Sequence, residues 1–149
     1  MRIGIITTMQ WAEHADAVLR EAGHRRGGAR HAVVAALSSQ ECCLTAQELH
    51  DSLRQSGRTV GVASIYRVLD LLVERDLVER VDTGVGSARF EARQPSGEHH
   101  HHLVCDDCGK VEAFADEALE RAIHEVEQRE GARAHHILLR GACTDCRAA

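Results

Sequence analysis

The sequence has very few aromatic side chains: one tryptophan, one tyrosine and two phenylalanines in 149 residues. Its core must therefore be built from Leu, Val, Ile and Ala. A chain so poor in large side chains gains from bound metal, whose binding free energy adds to folding. No apolar run approaches the roughly 20 residues that a membrane helix requires. The opening MRIGIITTM is too short for a secretory signal. We therefore expect a cytoplasmic protein with no membrane partner.

The sequence signatures of common catalytic sites are also missing. The segment HEVEQ at His124 lacks the second histidine of an HExxH metalloprotease motif. Neither a serine nucleophile elbow nor a glycine-rich phosphate loop occurs. We therefore expect no enzymatic activity and no small-molecule substrate.

The negative charge is concentrated towards the C-terminus. The net charge is −5, and residues 94–149 carry six basic against eleven acidic side chains, whereas residues 1–93 are neutral. This asymmetry indicates two modules, one that meets phosphate and one that holds cations. We place a DNA-binding domain at residues 1–93, a linker at 94–98 that holds the only proline, and a metal-binding dimerisation domain at 99–149.

The first module has the element order of a winged helix-turn-helix. Apolar residues at helical spacing predict a helix from Trp11 to Ala22 and a second, short helix that includes Val33 and Leu37. Thr45 and Glu48 form a capping box that opens a third helix, and VASIYRVLDLLVERD is a fourth. The segment LVERVDTGVGSARFEAR then predicts two strands around a glycine-rich turn.

In a winged helix-turn-helix the second helix of the motif enters the major groove and the hairpin lies along the DNA backbone. Double-stranded DNA is therefore the expected partner. On that helix Ser64, Tyr66 and Arg67 are expected to face the groove, although Tyr66 is also compatible with helix packing. Three arginines near the first helices are expected to contact phosphates: Arg25, Arg26 and Arg30.

The second module is predicted to contain a strand pair, an amphipathic helix and a last strand. The helix, DEALERAIHEVEQREG, should turn Leu119, Ile123 and Val126 inward and end at Gly131. A three-stranded sheet leaves an exposed edge, and a second copy of the chain is the simplest way to cover it. The fold class is therefore α+β: a winged helix-turn-helix domain followed by a small α/β dimerisation domain with a structural zinc.

Two Cys-x-x-Cys pairs are the strongest metal signal. Four thiolates in two close pairs match a closed tetrahedral zinc site, and the alternative is two disulfides in a secreted protein. The four cysteines are Cys105, Cys108, Cys143 and Cys146.

A run of four histidines precedes the first pair. On a strand, His99 and His101 project from one face while His100 and His102 project from the other, so the run serves two separate sites. The first face needs partners from the following helix and the last strand, and three imidazoles with a carboxylate suit zinc or another divalent first-row metal. The partners considered are Glu120 and His135, with His124 as a competitor and His136 pointing oppositely to His135.

Partners for His100 and His102 are sought in the first module. The candidates are Glu91 at the end of the wing and either Cys42 or Cys43, because adjacent cysteines rarely bind one tetrahedral ion together. The alternatives are that the cysteines are small buried apolar residues and that Glu91 is a solvated carboxylate. A site that joins the two modules would tie their orientation to metal occupancy.

The segments SIYRVLD, FEAR, EHHHHLVCDDCGK and HHILLRGACTDC resemble the ferric uptake regulator superfamily of metal-dependent repressors, over about Trp11 to Cys146. The resemblance implies a winged-helix domain joined to a dimerisation domain, with a homodimer binding a palindromic operator when metal is bound. It assigns three metal sites. These are a structural zinc (Cys105, Cys108, Cys143, Cys146), a sensor (Cys43, Glu91, His100, His102) and a second dimerisation-domain site (His99, His101, Glu120, His135).

The chain departs from the iron-sensor pattern at two positions. Cys43 replaces a histidine, and Ala113, with Glu112 beside it, replaces a glutamate. The segments TAQELHD and HHHHLVC look more like the zinc uptake regulators, although the cysteine that those carry near Arg93 is absent. A thiolate favours a softer ion, so zinc is expected over Fe²⁺ or another divalent first-row metal as the co-repressor. The other readings are a peroxide sensor of the same family, acting through an oxidised ligand or through Cys42 and Cys43, and a zinc-stabilised interaction module without DNA binding.

Overall fold

The computed structural model describes residues 8–25, 27–95, 100–134 and 137–148. The chain forms two compact units, Met1–Gly97 and Glu98–Ala149. Helices and two small three-stranded sheets make up the fold, which confirms the α+β class. Among the described residues, the helices are all too short or too polar to cross a membrane.

The described residues of the first unit form four helices and three strands. The four helices predicted from apolar spacing are present, the first beginning three residues earlier than expected. A two-residue strand that the sequence did not predict joins the wing hairpin, so the antiparallel sheet has the order β1-β3-β2. The elements are α1 (Thr8–Glu21), α2 (Gly28–Ser38), β1 (Leu44–Thr45), α3 (Ala46–Gln55), α4 (Val62–Glu74), β2 (Val78–Val81) and β3 (Arg89–Ala92).

The capping box at the start of α3 is formed as the sequence predicts. The Thr45 hydroxyl accepts from the Glu48 backbone N–H at 3.1 Å, and the Thr45 N–H donates to Glu48 Oε2 at 2.9 Å. Two backbone donors that the helix leaves open are thereby satisfied.

A continuous aliphatic core holds the first unit together. Trp11 is 1% exposed, and its indole N–H donates to the Leu77 carbonyl at 3.3 Å. That bond ties α1 to the residue before the wing. Each fully buried Leu, Ile or Val contributes about 1.5–3 kcal/mol relative to an exposed position. The largest aliphatic members of this core are Leu19, Leu37, Leu49, Leu53, Ile65, Leu69, Leu72 and Leu77.

The second unit is a three-stranded sheet with one long helix. The central strand pairs antiparallel with one neighbour and parallel with the other, in the order β5-β4-β6. Asp116 caps the helix by accepting from the Leu119 N–H, and Gly131 ends it in the left-handed conformation (φ 64°), as expected of a helix stop. The elements are β4 (His101–Cys105), β5 (Val111–Phe114), α5 (Glu117–Glu130), β6 (Leu138–Gly141) and α6 (Thr144–Arg147).

The apolar stripe of α5 is not buried within the chain, contrary to the sequence prediction. Leu119 and Ile123 are only half-buried, and Val126 is 45% exposed. The helix has no fully buried residue. The stripe is apolar because of its spacing, but spacing does not say whether the covering surface belongs to the same chain.

The buried residues of the second unit are mostly potential metal ligands. Among its described residues, Val104 is the single buried aliphatic side chain, and the others are two histidines and two cysteines. So small a core supplies little hydrophobic free energy, so this unit depends on another source of stability. The four are His101, His102, Cys105 and Cys143.

Replacement of Thr45 by alanine tests the capping box. Thr45→Ala should lower the free energy of unfolding of the first unit by about 1 kcal/mol, because it leaves a helical N–H without its acceptor. Fluorescence of Trp11, the one tryptophan in the sequence, reports unfolding of this unit in a urea titration. Thr59→Ala, in the exposed turn before α4, is the matched control and should change stability by less than about 0.5 kcal/mol. Equal stabilities of the two variants would contradict the capping role.

Candidate metal centres and nucleic-acid interface

Four cysteine sulfurs converge at one end of the second unit. The ligand atoms of Cys105, Cys108, Cys143 and Cys146 all lie within 4.8 Å of one another. The strand β4 ends at Cys105, and Cys108 follows in the turn after it. Cys146 lies in the short helix α6, which the sequence did not predict, and Cys143 is the N-cap of that helix. Gly109 turns the chain after the first pair with φ 74°, a conformation that L-residues rarely adopt.

The spacing of these sulfurs fits a tetrahedral ion. Cys108 Sγ and Cys143 Sγ are 3.8 Å apart. Two zinc–sulfur bonds of about 2.3 Å at a tetrahedral angle span about 3.8 Å. All six cysteines are free thiols, which contradicts the alternative of two disulfides.

Backbone amides prepare one of the four thiols to ionise. The Cys143 N–H donates to Cys105 Sγ at 3.3 Å, and this bond, with a second from the Cys108 N–H, lowers the pKa of Cys105 to about 6. The pKa of Cys146 is raised, chiefly by its hydrogen bond with Cys108. The thiolate form is thus favoured at Cys105 and disfavoured at Cys146. This is expected where several neighbouring thiols share protons that a cation can replace.

The histidines at the start of β4, with His100 directly before the strand, alternate as strand geometry requires. The rings of His100 and His102 meet edge to face with centroids 4.9 Å apart, and each offers a ring nitrogen within 4.8 Å of the other. His101 lies on the opposite face, where its Nε2 is 2.7 Å from Glu120 Oε1. Both His101 and His102 are 1% exposed.

The tautomer of His101 follows from its two contacts. The Ile137 backbone N–H donates to His101 Nδ1 at 2.9 Å, so the ring proton of the neutral imidazole is on Nε2, facing the Glu120 carboxylate. An ion bound at Nε2 has to displace this proton. The two other residues assigned to this site, His99 and His135, lie outside the described residues, as does His136.

The competing candidates for these sites have other partners. His124 is exposed on α5 and contacts Gln128 and Glu127 of the same helix. Glu112 forms an ion pair with Lys110 at 2.6 Å. Ala113 is the cross-strand neighbour of His102, so the position closest to that histidine on β5 carries no ligand atom.

A second donor cluster lies in the first unit, beside the wing. Cys43 is buried, Cys42 is half-buried, and their sulfurs are 3.8 Å apart. Cys43 Sγ also lies within 4.8 Å of a carboxylate oxygen of Glu91. The pKa of Cys43 is raised, first by its hydrogen bond with Cys42, then by burial and by the negative charges of Cys42 and Glu91.

Sequence reasoning missed Arg89, which fixes this cluster. Its guanidinium binds both carboxylate oxygens of Glu48, at 3.0 and 3.2 Å, and also donates to the Cys43 carbonyl at 3.3 Å. Glu48 is at the same time the capping residue of α3. One side chain therefore joins the wing strand, the start of α3 and the cysteine loop. Arg89 stands next to Phe90 and Glu91 at the start of β3, and nothing in this pattern of residues indicates that it contacts Glu48.

Helix α4 separates buried from exposed residues as a groove-binding helix does. Ile65 and Leu69 lie in the core, whereas Tyr66 is 43% exposed and Arg67 is exposed. Ser64 is half-buried. The exposure of Tyr66 argues against the alternative that it serves helix packing.

The connector between α1 and α2 forms an open cavity of about 430 Å³ with a basic lining. Arg30 donates through Nη1 to the Arg25 carbonyl, while its Nε is buried with no hydrogen-bond partner among the described residues. A guanidinium held in this way suits a phosphate oxygen. Arg26 lies outside the described residues. The basic residues of the lining are Arg20, His24, Arg25, Arg30 and His31.

The chain resembles known metal regulators along most of its length. Residues 21–141 match the model of the ferric uptake regulator family. A zinc uptake regulation protein from Mycobacterium tuberculosis is 36% identical over 128 residues, covering 85% of this chain and 97% of the relative.

Solved structures give the same result. A ferric uptake regulator from Helicobacter pylori, described as having three functional metal binding sites, superposes with a TM-score of 0.81 at 26% identity, covering 100% of this chain and 99% of that one. A zinc uptake regulator complexed with zinc and DNA gives a TM-score of 0.57 at 25% identity, covering 95% and 96%. The chain therefore belongs to the ferric uptake regulator family of metal-responsive transcription regulators, which are not enzymes.

Proposed function

We propose that this protein is a cytoplasmic repressor of metal-homeostasis genes that binds a palindromic operator as a homodimer, with zinc as co-repressor. The observation that carries the proposal is that each unit holds half of a donor set. The first unit brings the thiol of Cys43 to the carboxylate of Glu91, and the second brings together the imidazoles of His100 and His102.

The proposed sensor ion takes Cys43, Glu91, His100 and His102 as ligands. This mixed ligand set contains one thiolate, one carboxylate and two imidazoles, and it suits zinc. Because thiolate is a soft ligand, the set favours softer metal ions than a site made of histidines and carboxylates alone. The absence of a donor at Ala113, next to His102, also favours a four-coordinate ion over the six-coordinate geometry that harder ions prefer.

Two further ions complete the proposal. Zinc at the four cysteines supplies the folding free energy that the small core of the second unit lacks. The second dimerisation-domain site comprises His99, His101, Glu120 and His135. Its binding would exchange the proton between His101 and Glu120 for the ion.

The Glu48–Arg89 ion pair supports a route from metal to DNA. Because Arg89 holds the Cys43 carbonyl and Glu48 caps α3, a change in the cysteine loop acts directly on the start of the first helix of the motif. The ligands are divided between the two units, so metal restricts their relative motion. Without the metal ion, the two winged helices of a dimer rarely adopt the spacing that the operator requires, because holding them at that spacing costs entropy.

DNA binding and dimerisation are supported by separate surfaces. The exposed Tyr66 and Arg67, with the half-buried Ser64 beside them, face the major groove, and Arg25, Arg26 and Arg30 supply phosphate contacts. A relative of similar fold is described in complex with DNA. The uncovered stripe of α5 and the exposed Leu139 on the edge strand β6 supply the apolar surface for a second copy.

Metal dependence of DNA binding tests the proposal. Operator DNA can be enriched from a random duplex library with zinc-loaded protein, and its affinity measured by fluorescence anisotropy. A chelator that leaves the structural zinc in place should weaken binding by about 5- to 150-fold, which corresponds to a coupling free energy of about 1–3 kcal/mol. Glu91→Gln should abolish most of this difference. Glu79→Gln, at the directly paired position of β2, should preserve it. Equal affinity with and without chelator would refute the switch.

Loss of one structural ligand should unfold the second unit selectively. Cys143→Ser should lower the zinc content by one ion per chain and remove the circular dichroism of the second unit, because its small core cannot fold alone. Trp11 fluorescence, which reports the first unit, should change little. Ala142→Ser, at the exposed position next to Cys143, is the matched control and should retain the full zinc content. A folded second unit in Cys143→Ser would contradict the structural role.

Arg30→Ala should weaken binding to specific and unrelated DNA alike. A lost phosphate contact also reduces the slope of affinity against salt concentration by about one. Arg129→Ala removes the same charge from α5 in the second unit and should leave the slope unchanged. A loss restricted to the operator sequence would instead indicate base recognition by Arg30.

A further inference from the structure

The two adjacent cysteines of the first unit point to the same place. In an extended chain, successive side chains project in opposite directions. Here the chain bends at Glu41 and Cys42, and the sulfurs of Cys42 and Cys43 come within 3.8 Å of each other. Two contacts fix the chain just after the bend: Arg89 donates to the Cys43 carbonyl, and Leu44 pairs with Phe90.

This distance is the one that a shared tetrahedral ion requires. Two bonds of about 2.3 Å to one zinc-like centre span about 3.8 Å. The same separation joins Cys108 and Cys143 in the four-cysteine cluster. The expectation that at most one of two adjacent cysteines is a ligand depends on their pointing apart, which these two do not.

We propose that Cys42 and Cys43 bind one thiophilic divalent cation together, with Glu91 as a third donor. The inference rests on the proposed sensor function and changes its chemistry, because the first unit then contributes two thiolates rather than one. Each thiol releases its proton to solvent as its metal–sulfur bond forms.

A direct disulfide is a poorer use of the pair. Consecutive Cα atoms across a trans peptide are about 3.8 Å apart, whereas disulfides normally join Cα atoms about 4.4–6.8 Å apart. When both sulfurs bind one metal ion they stay about 3.8 Å apart, so they do not have to come within bonding distance of each other. The geometry therefore favours ligation over oxidation between these two residues.

The charges around the pair select for a cation. The negative charges of Cys42 and Glu91 both act on Cys43, and the Arg89 guanidinium that opposes them is already paired with Glu48, so most of the negative charge is left uncompensated. A divalent ion offsets the remainder. The dithiolate also prefers soft ions such as Zn²⁺ and Cd²⁺ to Fe²⁺ or Mn²⁺, so the pair narrows the metal specificity of the sensor.

Cobalt spectroscopy counts the thiolates. Full-length protein that retains its structural zinc is titrated with Co²⁺, and the sulfur-to-cobalt charge-transfer absorption is recorded. Cys42→Ser and Cys43→Ser should each lower the absorption per bound cobalt by about half and the affinity by about tenfold or more. The double variant should lose the absorption. Ser39→Ala, at the exposed end of the preceding helix, is the control and should match the unaltered protein.

The outcomes separate this inference from the proposed function. Full absorption in Cys42→Ser, with metal-dependent DNA binding intact, would overturn the shared ion and leave the single-thiolate sensor standing. Full absorption in Cys43→Ser would overturn it equally. If the unaltered protein binds cobalt through two thiolates but binds DNA equally with and without metal, the dithiol site stands and the repressor switch fails.

Discussion

The alternation of side chains along β4 is the constraint on which the metal chemistry of this protein depends. Three consecutive histidines cannot reach one site from a regular strand, so His100 and His102 are directed to one face and His101 to the other. On one face His101 contacts Glu120 of α5, and on the other face the proposed partners of His100 and His102 are Cys43 and Glu91. The same strand ends in Cys105, so a single five-residue segment carries ligands for three proposed sites. A change of register would disable all of them at once.

The two units solve the problem of a small core in different ways. The first buries a tryptophan, several leucines and an isoleucine between its helices and its wing. The second buries ligands instead of aliphatic side chains, and its amphipathic helix leaves its apolar stripe uncovered. In the proposed function, its stability therefore rests on the thiolate-bound ion and on a second copy of the chain. These are two contributions that a cell can vary through metal supply and protein concentration.

Local rules predicted much of this structure from sequence. The capping box, the glycine that ends α5, the four helices of the first unit and the two faces of the histidine strand all follow from spacing and residue type. Features that depend on tertiary contacts could not be predicted. The strand β1 is too short to show a period, and Arg89 acts through a partner 41 residues away. The close approach of the Cys42 and Cys43 sulfurs depends on a bend in the chain that no sequence pattern indicates. The α5 stripe was wrongly predicted as inward because periodicity identifies an apolar face but not its partner.

The central claim is that opposite faces of one histidine strand serve separate ions, and one pair of substitutions tests it most directly. Metal-dependent DNA affinity is measured for His102→Ala and for His101→Ala, each with its structural zinc confirmed by metal analysis. The account predicts that His102→Ala loses the dependence on metal while His101→Ala keeps most of it, since His101 faces Glu120. Equal loss in both variants would show that the histidines act in one shared site and would contradict the account.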